Sequence, residues 1–140
     1  APSRQAHRAR RYPMMRYPWD RTEAALRAMA DHGDGAMPEL DYVNPETGAD
    51  VLPTMGFTAM MLAAGMTTTP PRRSCSSAFH VVRGRGRTTI DGQTVEWGPK
   101  DTFSAPVFAS LSHEADEEAF LVRIHDRPLQ EKLGYYEERE

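Results

Sequence analysis

Eight short runs of β-branched, aromatic and aliphatic residues, each closed off by turn residues, constrain this chain more than any other feature. They fall at 40–43, 51–55, 57–63, 78–83, 87–90, 94–97, 102–105 and 119–124, and all carry strand composition. Asn44-Pro45, Gly84-Arg85-Gly86, Asp91-Gly92 and Gly98-Pro99 separate them. Asp-Gly between two such runs is a strong signal for a two-residue hairpin. Many short strands create many unpaired edges, and antiparallel chains cover those edges by forming a sandwich or closed barrel. The expected class is all-β.

The two ends depart from this pattern. No acidic residue precedes Asp20, whereas Arg4, Arg8, Arg10, Arg11 and Arg16 are basic, so residues 1–19 read as a basic, flexible leader or linker. A nucleic-acid arm is the competing reading, but it lacks lysines and a recognition fold. Asp20 is expected to cap a helix over 20–35. Glu23 is placed for a capping box, Ala25, Leu26, Met29 and Ala30 form an apolar stripe, and Gly33 and Gly35 stop it. Residues 36–140 then form the barrel with a short C-terminal helix at 128–133, which Gly134 ends.

Composition narrows the partners. A chain of 140 residues suits one domain. A net charge of -3 and a pI near 6.0 give no reason to expect nucleic acid or an anionic membrane. The one cysteine, Cys75, cannot close an internal disulfide and fits a reducing compartment. The longest apolar run, 57–66, falls far short of the roughly 20 residues of a membrane helix. The expectation is a cytoplasmic protein.

Residues 65–84, from Gly65 through Arg73 and Ser77 to Gly84, resemble in spacing the first metal-binding motif of cupin barrels. That motif implies His-x-His after five residues that follow the first Gly, then a Glu, then a closing Gly. Here the ligand positions carry Pro71, Arg73 and Ser77. In the second motif, Gly98, Asp101 and Pro106 lead to the position of the third histidine, which is Leu111. None of Pro71, Arg73, Ser77 and Leu111 offers the imidazole, thiolate or carboxylate donors that Fe(II) or Zn(II) require.

Longer stretches carry a more specific resemblance. Arg16-Tyr17-Pro18-Trp19-Asp20-Arg21-Thr22, Tyr42-Val43-Asn44-Pro45-Glu46-Thr47-Gly48, Val51-Leu52-Pro53-Thr54, His80 to Arg87, and Asp126-Arg127-Pro128-Leu129-Gln130-Glu131-Lys132-Leu133-Gly134 are similar to the C-terminal cupin half of gentisate 1,2-dioxygenases and their salicylate and hydroxynaphthoate relatives. The resemblance implies a single cupin barrel, a double-stranded β-helix, flanked by the two helices. It also implies a two-cupin parent whose other barrel holds Fe(II) on three histidines and opens an aromatic hydroxy-acid ring. For this chain it implies no catalytic residue and no cofactor, with packing and oligomerisation as its role. The expected partners are an upstream catalytic cupin or partner subunit and further copies of the chain. The Arg-rich entry and the Ala1 start are expected to continue from an upstream segment.

A second reading treats the barrel as a free-standing binding module. Arg73, Ser77 and His113 would share one cavity if the cupin register holds, and could bind a small aromatic carboxylate through charge-assisted hydrogen bonds. His113 lies two residues beyond Leu111 and so on the same strand face. His80 falls on the face opposite Ser77, and His125 is placed to bond Asp126. The three histidines share no metal spacing. Gly84-Arg85-Gly86 is expected to be a β-turn and not a phosphate loop, Cys75 beside Arg72 and Arg73 lacks a base, and Met55, Met60, Met61 and Met66 read as packing residues.

Overall fold

The computed structural model describes residues 16–33 and 35–140, so most of the basic leader expected at 1–19 lies outside the described residues. Helix α1 spans Trp19–His32 and helix α2 spans Arg127–Leu133. Strands β1 (Glu39–Asp41), β2 (Gly56–Leu62), β5 (Ser77–Arg83), β8 (Thr102–Ala105) and β10 (Ala119–His125) form one sheet in the order β1-β2-β10-β5-β8. A second sheet has the order β3-β9-β6-β7, from β3 (Thr67–Thr68), β6 (Gly86–Ile90), β7 (Gln93–Trp97) and β9 (Leu111–Ala115). A small ribbon pairs β4 (Arg72–Arg73) with β11 (Glu138–Arg139), and the described ladders are all antiparallel.

Period-two alternation builds the interior. Met60 and Leu62 of β2, Phe79 and Val81 of β5, and Ala119 and Leu121 of β10 pack against Trp97, Leu111 and Ala115 of the second sheet in one buried cluster. The opposite face of the first sheet carries Ala59, Met61 and Phe120, which pack with Leu26 of α1. Strand β2 is thus buried on both faces, which is why its sequence is almost continuously apolar. The β6–β7 hairpin turns on Asp91 and Gly92, both with positive φ (48° and 85°), as a tight Asp-Gly turn requires. No helix among the described residues is long and apolar enough to cross a membrane.

Several expectations need correction. Residues 51–55 are not a strand: Pro53 lacks a donor, and among the described residues the pairing nearby is a single bridge between Val43 and Asp50. The capping box at Asp20 does not form, because the helix begins one residue earlier with Pro18 at the N-cap. Glu23 instead pairs with Arg83 at 2.5 Å and Arg27 at 3.3 Å. Gly84 and Arg85 form no hairpin turn, since β5 and β6 belong to different sheets and the segment is the corner between them. Gly86 is needed where that corner arrives, because a Cβ there would strike the Glu114 carbonyl and the Trp97 ring.

Candidate functional site

The site is built where the two sheets meet the β4–β11 ribbon. Ser74 holds this region together: its hydroxyl donates to Gln130 Oε1 at 2.5 Å and accepts from the Glu137 amide at 2.8 Å, while Gln130 Nε2 donates to its carbonyl at 3.0 Å. The Ser74 amide also donates to the Glu137 carbonyl at 2.8 Å, so the segment carrying Arg73 and Cys75 is pinned to α2 and to the chain beyond it. Pro71, Arg73, Cys75 and Ser77 then line one cavity with Ala105, Pro106, Ala109 and Leu111. Its volume is about 10 Å³, enough for roughly one water-sized group. All four positions aligned with cupin metal ligands therefore border the same small space.

Strand parity on β10 brings two polar residues into this interior. Arg123 and His125 share the inward face of Ala119 and Leu121, and Arg123 is only 3 % exposed. Arg123 Nη1 lies 3.4 Å from Ser77 Oγ, a weak contact, and its Nε has no partner among the described residues. Arg73 Nε is likewise buried without a partner. Burial and the neighbouring Arg73 cation both hold the Arg123 pKa below its ordinary value. No carboxylate lies within 4.0 Å of either guanidinium among the described residues.

His113 is fully buried on β9, its ring edge-on to Phe79 with centroids 5.1 Å apart. The Trp97 indole donates to Thr88 Oγ1 at 3.0 Å, and Thr88 Oγ1 lies 2.8 Å from His113 Nδ1. The indole N–H, the threonine hydroxyl and Nδ1 are satisfied when the hydroxyl donates to Nδ1, which leaves the imidazole proton on Nε2, an atom without a partner among the described residues. Burial, reinforced by Arg73 and Arg123, pushes the His113 pKa down from 6.5 to about 4. The ring is neutral at pH 7.

The remaining residues singled out in the sequence separate. His80 is exposed on the outer face, its Nδ1 3.0 Å from Thr102 Oγ1. His125 does not bond Asp126: its Nε2 lies 3.1 Å from Thr58 Oγ1, whose hydroxyl donates to Asp41 Oδ1 at 2.6 Å. Burial, then Arg123, pushes the His125 pKa from 6.5 down to about 4. Cys75 is buried, and desolvation raises its pKa despite the opposing Arg123 and Arg73 cations, which disfavours the thiolate. Among the described residues, no three His, Cys, Asp or Glu side chains converge as a metal cage. Met60 and Met61 are buried on opposite faces of β2, and Met55 is exposed. Sequence reasoning missed Arg123, Thr88 and Thr58; the available signal was an arginine at an inward position of the apolar run 119–124.

Known proteins share both this sequence and this fold. Gentisate 1,2-dioxygenase of a Ralstonia species is 38% identical over 134 residues, covering 93% of this chain and 38% of its own length. Over about nine tenths of its length this chain is similar to the gentisate 1,2-dioxygenase family. A second family member, the 5-aminosalicylate 1,2-dioxygenase of a Comamonas species, is 35% identical over 91% of this chain and 36% of its own. The solved salicylate 1,2-dioxygenase of Pseudoaminobacter salicylatoxidans superposes with a TM-score of 0.81 at 28% identity, covering 91% of this chain and 41% of that one. The barrel is thus the cupin fold of that dioxygenase family. The chain spans little more than a third of the length of these family members. No family model matches it.

Proposed function

We propose that this chain is the metal-free cupin segment of a ring-cleaving dioxygenase that acts on gentisate or a related aromatic hydroxy acid, with the iron held in another barrel. The observation that carries this reading is the cavity at Pro71, Arg73, Ser77 and Leu111. A proline, an arginine, a serine and a leucine supply none of the nitrogen or carboxylate donors that Fe(II) needs, and the residues present do not fit that ion. Arg73 and the buried Arg123 would also repel a divalent cation there. The segment's role in this reading is structural: it packs on the catalytic barrel and contributes to the oligomer. A matched length of little more than a third of the relatives supports a parent with room for a second barrel.

Elemental analysis and oxygen uptake test this directly. The purified chain is expected to hold far less than one iron per molecule and to consume no oxygen with gentisate or salicylate. Stoichiometric iron together with turnover would overturn the proposal.

A further inference from the structure

Two arginines, one buried and one partly buried, meet inside this barrel without an ion pair to either among the described residues, and Glu39 acts on Arg123 only from beyond 4.0 Å. Arg123 is almost wholly buried, and among the described residues its guanidinium makes one side-chain hydrogen bond, the long 3.4 Å approach of Nη1 to Ser77 Oγ. Arg73 reaches the same region from the β4–β11 ribbon, and the buried Nε atoms of both arginines lack partners among the described residues. A guanidinium remains charged at any physiological pH, so burial cannot be relieved by losing the proton. A buried, uncompensated charge is strongly unfavourable, and two like charges near one another add to that cost.

We propose that the barrel interior beside Arg73, Arg123 and Ser77 binds a small monovalent anion of halide size. The charge is supplied by the two guanidiniums, and the hydrogen bonds by their N–H groups and the Ser77 hydroxyl. The cavity lined by Arg73 and Ser77 sets the size: about 10 Å³ admits one water-sized group and excludes an aromatic ring. A larger cleft of about 430 Å³ borders the same three residues, Ser77, Ala105 and Pro106, at the end of the first sheet. Burial first, and then the Arg73 cation, lower the Arg123 pKa, with Glu39 opposing; an anion beside the guanidinium would raise it. This inference stands independently of whether the chain works within a dioxygenase.

Thermal unfolding at constant ionic strength, with gluconate exchanged for chloride, tests the site because gluconate is too large for the cavity. The midpoint is expected to rise by about 3 °C or more and to saturate with chloride, as linkage to a folded-state ligand requires. Arg73→Gln, at a partly exposed position, should abolish the response. Anomalous scattering from a bromide-soaked crystal should place one ion between the two guanidiniums, which keeps the test open if Arg123→Met fails to fold. Equal midpoints in both salts with no bromide peak would overturn the proposal, as would an unchanged chloride response in Arg73→Gln. Stabilisation by salicylate but not by chloride would overturn the size assignment. Should melting and scattering disagree, the bromide peak decides.

Discussion

His113 and His125 are neutral side chains held inside a cationic neighbourhood, and protons count against the fold at both. Each has a folded-state pKa near 4 against 6.5 when unfolded. The unfolded chain therefore binds protons first as pH falls. Stability is complete above about pH 6.5 and is lost progressively toward pH 4, by about 2 kcal/mol per histidine at pH 5. Urea unfolding at pH 7 and pH 5 measures this. In His113→Gln the loss between those two values should shrink by about half of the combined effect, and a wild-type slope in that variant would mean that His113 titrates normally. The inward face of His113 was legible in the sequence because alternation fixes it two residues after Leu111. The same alternation marks Arg123, but its contact with Ser77 was not legible, because Ser77 lies 46 residues away and strand pairing, not spacing, brings them together.

Helix α1 owes its place to packing on the outer face of the first sheet. Leu26 is fully buried there with Ala59, Met61 and Phe120, and Trp19 meets the Phe120 ring edge-on at 5.6 Å. Leu26→Ala is expected to destabilise the protein by about 3 kcal/mol. Met29→Ala, at a side chain 41% exposed, should cost no more than about 0.5 kcal/mol. The difference between their urea midpoints measures how firmly the helix is docked, and equal effects would mean that it is not. The apolar stripe revealed this helix because its period is local. Its first residue was misread because Pro18 fixes the entry, and a proline at that point overrides the side-chain capping pattern that Asp20 and Glu23 suggested. The strands at 67–68, 72–73 and 138–139 were invisible for a related reason: two-residue strands carry no period, and pairing partners alone define them.

At the scale of the whole molecule, the barrel class was legible because eight β-type runs and their turns have few ways to hide their edges, whereas the strand order was not. β10, near the end of the sequence, lies between β2 and β5 at the centre of the first sheet. It pairs with β2 from Ala119↔Leu62 to His125↔Gly56. Closing so long a loop costs entropy before any pairing rewards it, and such topologies fold in roughly milliseconds to seconds. Stopped-flow refolding should fall in that range, and a chain ending at residue 118 should show no cooperative unfolding transition; a cooperative one would mean that β2 and β5 can pair without β10. During synthesis, β2 and β5 emerge with Met60, Leu62, Phe79 and Val81 and no strand to join them. A growing chain of this design carries an open apolar seam until its last long strand is free to pair, and over that interval the seam is exposed to aggregation or to a chaperone.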